Sequence, residues 1–205
     1  LDYGAVPDCT SASVGTAAQS AIEACINAAL SRGGGKVIIQ GDSRGNAFRV
    51  TDSIYPDFLD ANLTIEFRGG AKIVAGTGLA SPVLKLWASA SDESTWKDYD
   101  LHIINPNIDC SAGSTPGAGS YCSGISLNYL RLVTIDNPQL YGGTDPDNTN
   151  ADSGIDSVSC KAVVINGGLI EGFGDAGFYP NGDNTVGIGN DDGLVAILNN
   201  VTFRR

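Results

Sequence analysis

One unit recurs along this chain and limits what it can fold into. Leu101 to Asp109 reads as an apolar strand, an Asn-Pro corner and a second short strand. Leu132 to Tyr141, Ala162 to Glu171 and Val195 to Phe203 repeat it. Ile135 and Ile165 stand thirty residues apart, and Ser123-Gly124-Ile125 and Ser153-Gly154-Ile155 echo each other at the same offset. Such a unit cannot bury both of its faces alone. Stacked units bury a continuous column of Ile, Val and Leu, which is the logic of a solenoid. Asparagines at the corners can hydrogen-bond backbone groups and tolerate left-handed conformations. A leucine-rich repeat would need a shorter period and a leucine consensus. A β-sandwich would not explain the recurring unit. The pattern predicts stacked parallel rungs, with Val133, Ile135, Val163, Ile165 and Ile197 pointing inward.

Upstream, Thr16 and Gln19 have capping-box spacing, so a helix is expected to start near Thr16. Ala18, Ile22, Cys25, Ile26, Ala29 and Leu30 recur at helical spacing as one apolar stripe. Gly33, Gly34 and Gly35 end that helix. Val37, Ile38 and Ile39 follow as a short buried strand. The helix has an evident task, to cover the first rung of the solenoid.

These residues together resemble the opening of the pectate-lyase-like right-handed β-helix superfamily. The resemblance rests on Asp2, Tyr3, Gly4, Ala5 and Asp8, then Ala21 to Cys25, Gly33 to Val37, and Phe48-Arg49-Val50. It covers about the first fifty residues. Cys9 with a serine-rich insertion, and Gln40-Gly41-Asp42, depart from the family's pattern. The resemblance implies an all-β, right-handed parallel β-helix with a short N-terminal capping helix. It does not imply one reaction, since members include lyases, hydrolases, epimerases and phage tailspikes. A single domain over 1–205 is expected, with cap and first strands in 1–50 and stacked coils in 51–205. The last strand runs to Phe203 with no capping element after it. The expectation is therefore the N-terminal part of a longer β-helix, completed by a second polypeptide segment.

The formal charge of −11 argues against nucleic acid or an anionic membrane as partner. No apolar run approaches membrane-spanning length, and no signal peptide is visible. The chain has no methionine and reads as a processed product. Cys110 and Cys122 flank the loop SAGSTPGAGSY, which a disulfide would clamp if the protein is secreted, at about 3 kcal/mol. Cys9 and Cys25 are a second candidate pair, and Cys160 is expected as a buried core thiol. A secreted, extracellular or virion-associated protein is the expectation.

Between Asp136 and Asp192 lie ten acidic residues opposed only by Lys161. Singly they serve solubility; stacked on successive turns they could build a carboxylate site or hold Ca2+, which prefers oxygen ligands. No cofactor is required by any motif, and no metal site is assigned, because EF-hand and Cys/His zinc spacings are missing. In a β-helix, loops one repeat apart lie side by side. Asp152 and Asp156 should then approach Asp175, Tyr179 and Asp183, which are the candidate catalytic residues. Carboxylates separated by about 5–10 Å can act in glycoside hydrolysis. Lyase chemistry on a uronic acid needs a cation for the carboxylate, a base for the C5 proton and an acid for the leaving oxygen. Tyr179 could be base or acid; Arg131 and Lys161 could neutralise a carboxylate or, with a depressed pKa, act as base. Asn181 and Trp96 complete the candidate substrate-binding set, Trp96 by stacking on a sugar ring. Gly177 to Asn181 weakly resembles the active-site stretch of alginate C5-epimerases, with Tyr179 in place of an aspartate and Asn181 in place of the histidine. Epimerase chemistry is correspondingly disfavoured. His102, the one histidine, sits in a strand among apolar neighbours and reads as structural or surface. The function expected is a carbohydrate-active enzyme, a polysaccharide lyase or glycoside hydrolase. The alternative is a non-catalytic glycan-binding or structural β-helix, such as a virion fibre module.

Overall fold

A computed structural model of the chain describes residues 18–57, 59–88, 99–113, 122–143, 153–181 and 195–204. The fold is an all-β parallel solenoid preceded by one helix, α1 (Gln19–Leu30). The first coil holds β1 (Gly35–Gln40) and β2 (Phe48–Val50), with Ile54 bridging to the next coil. Four coils with three strands each follow. They are β3 (Leu63–Arg68), β4 (Ile73–Ala75) and β5 (Leu84–Trp87); β6 (Asp100–Ile104), β7 (Asn107–Asp109) and β8 (Ile125–Asn128); β9 (Leu132–Asp136), β10 (Gln139–Tyr141) and β11 (Ser153–Val158); and β12 (Ala162–Asn166), β13 (Leu169–Glu171) and β14 (Ala176–Asn181). Two further strands, β15 (Val195–Asn199) and β16 (Thr202–Arg204), extend the stack.

The strands form three parallel sheets. The first sheet runs β1-β3-β6-β9-β12-β15, the second β2-β4-β7-β10-β13-β16, and the third β5-β8-β11-β14. Register explains the repeat. In the first sheet Val37, Ile65, Ile103, Ile135, Ile165 and Leu198 pair in one inward row. In the second, Phe48, Ile73, Ile108, Leu140, Ile170 and Phe203 do the same. In the first sheet β3, β6, β9 and β12 alternate buried positions with less buried ones, as a sheet with one face in the core must. The corner between first and second sheets takes a left-handed residue in every coil: Asn105, Asn137 and Asn200 at φ 51, 51 and 54°, and Gly167 at φ 65°. The corner asparagines therefore take the left-handed conformation that the sequence suggested, and Asn137 Nδ2 donates to Asn105 Oδ1 of the neighbouring coil at 3.2 Å.

Helix α1 packs Ile22, Ile26 and Leu30 onto the core. It is tied to the first coil at both ends. The Ala18 amide donates to the Arg49 carbonyl at 2.7 Å, the Tyr55 amide to Glu23 Oε1 at 2.7 Å, and the Asp57 amide to Asn27 Oδ1 at 2.9 Å. The apolar stripe is as predicted, with Cys25 and Ala29 at its half-buried margin. The start differs in detail: Ala18 occupies the N-cap without a side-chain bond, and Thr16 lies outside the described residues.

Three expectations are corrected. Ile38 is 43% exposed, because β1 alternates and only Val37 and Ile39 face the core. Ile197 pairs with Val164 and so shares its outward phase; Ala196 and Leu198 take the inward positions opposite Val163 and Ile165. The Cys110–Cys122 disulfide is not formed. Both are buried free thiols, and burial pushes the Cys110 thiol well above its ordinary value, with the Cys122 side chain beside it adding to the shift. Cys160 is a buried free thiol, as expected; Cys25 is also free, and Cys9 lies outside the described residues. No described helix is long and apolar enough to cross a membrane.

Candidate functional site on the outer face of the third sheet

The third sheet gathers the chemistry. In β5, Leu84 and Leu86 are fully buried, so Lys85 and Trp87 face outward. In β8, Ile125 and Leu127 point in and Ser126 and Asn128 out. In β11, Ile155 and Ser157 are fully buried, turning Asp156 and Val158 outward. In β14, Phe178 packs on the core and Tyr179 is 43% exposed. The pairing register then sets Lys85, Ser126, Asp156 and Tyr179 in one row across four strands. A second row begins Trp87, Asn128, Val158.

Parallel strands lie about 4.8 Å apart, so Asp156 and Tyr179 are immediate neighbours and Lys85 is about 10 Å from Asp156. The Lys85 ammonium sits 4.2 Å from the Tyr55 ring centroid and 3.7 Å from that of Trp87. Tyr55 and Trp87 meet edge to face, centroids 5.6 Å apart at 69°. Trp87 Nε1 donates to Ser126 Oγ at 3.2 Å, which fixes the indole and covers the serine. Asn128 Oδ1, beside Trp87 in the second row, is enclosed and has no hydrogen-bond donor among the described residues.

Of the residues singled out from the sequence, Asp156 and Tyr179 are brought together. Asp175 is exposed in the bend before β14, four positions ahead of Tyr179 and so about 13 Å along an extended strand. Arg131 and Lys161 stack at the corner leading from the third sheet to the first; the Ala162 amide donates to the Arg131 carbonyl at 3.0 Å. The Arg131 guanidinium grips both carboxylate oxygens of Asp100, its Nη2 at 2.8 Å from each. Asn181 ends β14 in register with Val158, and its side chain is outside the description. Asp152, Asp183 and Trp96 lie outside the described residues. His102 is on a different face: it contacts Asp136 at 2.6 Å on the first sheet, in a polar ladder continued by Asn166 and Asn199. Among the described residues no cluster of three or more His, Cys, Asp or Glu could hold a metal ion.

The sequence reading missed Lys85, Trp87 and Tyr55. The signal for two of them was present. Leu84-Lys85-Leu86-Trp87 alternates, so a buried Leu pair puts Lys85 and Trp87 on one outer face. Tyr55 belongs to no strand, and only the bridge at Ile54 brings it to Lys85.

The face therefore offers a carboxylate beside a phenol, and a lysine held between two aromatic rings. Such an elongated row suits a linear ligand with hydroxyls and apolar C–H faces. No protein-family model, curated protein or solved structure matches the chain.

Proposed function

We propose that this protein is a carbohydrate-active enzyme of the pectate-lyase-like β-helix type, cutting or modifying a polysaccharide laid across the outer face of the third sheet. The observation that carries the reading is the pairing of Asp156 with Tyr179 in line with Lys85 and its aromatic neighbours. A carboxylate and a phenol on adjacent strands can move protons to and from one sugar linkage. In elimination, the Asp156 carboxylate takes the C5 proton of a uronic acid. The released electron pair forms the C4–C5 double bond, the C4–O bond breaks, and the Tyr179 hydroxyl protonates the departing oxygen. In hydrolysis, Asp156 in its acid form protonates the glycosidic oxygen, the C1–O bond to that oxygen breaks, and water forms the new C1–O bond while its proton passes to the Asp156 carboxylate just formed. Secretion would bring such a protein to its substrate.

The test is incubation with a panel of neutral and acidic polysaccharides, following absorbance at 235 nm and reducing ends. Unsaturated product marks a lyase, and reducing ends alone a hydrolase. Asp156→Asn and Tyr179→Phe should each lower turnover by about 10²–10⁴-fold. A second reading, glycan binding without catalysis, is favoured by the aromatic cluster standing apart from the acid. Binding without product would select it, and neither binding nor product would overturn both.

A further inference from the structure

We infer that Tyr55, Lys85 and Trp87 form an anchoring subsite for a sugar unit two coils away from the Asp156–Tyr179 pair, so that the protein grips glycans longer than a disaccharide. The inference deepens the proposed function and rests on its carbohydrate reading. The cluster is prepared in advance. Trp87 Nε1 is held by Ser126, the Tyr55 ring meets Trp87 edge to face while its backbone amide is held by Glu23 of α1, and Lys85 lies against both rings. Little side-chain freedom is left to lose when a ligand arrives, which is where preorganised sites gain affinity.

The chemistry fits a pyranose. A sugar ring presents C–H groups on its faces and hydroxyls at its rim. Tyr55, 38% exposed, and Trp87 offer apolar surface. The ammonium keeps N–H donors for hydroxyl oxygens.

The spacing fixes the length of the ligand. Lys85 and Asp156 sit in the same row with only Ser126 between them, two strand separations or about 10 Å. That is the reach of two linked sugar units. A disaccharide placed at Asp156–Tyr179 cannot also fill the aromatic subsite, whereas a tetrasaccharide can.

The test uses the full chain carrying Asp156→Asn, so that bound glycan persists, titrated calorimetrically with xylo-, cello- and galacturono-oligosaccharides from dimer to hexamer. Affinity should climb about tenfold from dimer to tetramer, the size of one aromatic contact. Adding Trp87→Ala or Lys85→Met should abolish the climb. Thermal melts accompany both, and Lys85→Met carries the test if Trp87→Ala unfolds. A climb that survives in the folded variants, or a flat profile in the parent protein, overturns the subsite while leaving the carbohydrate reading intact. No binding by any series, with no product from any polysaccharide, overturns the carbohydrate reading and this inference with it.

Discussion

At the residue scale, Glu66 shows how the outer faces are kept in one charge state. Its carboxyl is held down to about 2, from an ordinary 4.5, chiefly by the hydrogen bond from Arg68 and then by Lys36. The Arg68 Nε is 2.8 Å from Oε1, and Lys36 pairs with Oε2. Asp109 and Asp136 are also lowered. In each, burial is the largest single influence and pushes the carboxyl up, but the hydrogen bonds and the facing positive charge together outweigh it: Lys72 and Ser111 at Asp109, Asn166 and His102 at Asp136. A depressed folded value means that the stabilisation is full above the unfolded value and is lost as pH falls through the folded one. For Glu66 that window runs from 4.5 down to about 2. Denaturant melts of Glu66→Gln against the parent should therefore differ at neutral pH and converge as pH approaches 2. A difference that stays constant across the window would contradict the assignment. The same scale governs the site: Tyr179→Phe keeps the ring and should lower turnover without weakening glycan binding, which calorimetry and rate measurement separate.

At the element scale, coil stacking depends on positions that no side chain can occupy. Gly124, Gly154 and Gly177 follow one another up the entry of the third sheet. A Cβ on Gly154 would stand 2.5 Å from the Gly177 carbonyl oxygen and 2.5 Å from Ile170 Cγ2. Gly154→Ala must then push β11 from β14 and disturb the row that joins Asp156 to Tyr179. The expected cost is about 1–3 kcal/mol, the range for overpacking. In a chain of this size each kcal/mol lowers Tm by about 2–4 °C. Activity should fall further than stability explains, because the displaced strands carry the acid–phenol pair. Asn137, at φ 51°, makes the complementary case. Asn137→Ala should lose about 1 kcal/mol in a melt while Asn137→Gly stays near the parent, since only the β-carbon penalises the left-handed turn.

At the scale of the whole molecule, α1 closes the end of the solenoid at which β1 and β2 are the outermost strands. Ile26 is fully buried in that junction. Ile26→Ala should cost about 2–5 kcal/mol and uncover strand edges that can pair with other chains. Thermal melts combined with light scattering check this: a lowered Tm with early scattering is expected, and an unchanged profile would show that the helix is dispensable. The helix also reaches the candidate site, since Glu23 holds the Tyr55 amide. Loosening α1 should weaken the aromatic cluster as well as the fold. At the other end of the stack, Val195 and Leu198 remain 54% and 46% exposed.

What the sequence determined by itself was periodic. Ile135 and Ile165, the Asn-Pro corners and the glycines of the Ser-Gly-Ile echoes recur at fixed offsets, because every coil must solve the same burial and turning problem. A solenoid, an amphipathic helix before it and a buried Cys160 were legible for that reason. The pairing of Asp156 with Tyr179 was half legible: stacking brings loops one repeat apart together, but Tyr179 is only twenty-three residues after Asp156, so their alignment depends on the shorter coil between them. Tertiary structure alone decided the phase of Ile197, since a run of apolar residues does not say which alternate set faces the core. It alone decided that Arg131 is engaged by Asp100, thirty-one residues earlier, because a cation's partner is chosen by the fold. It likewise assembled Tyr55, Lys85 and Trp87, which share no repeat position and meet only because the first coil lies beneath the second.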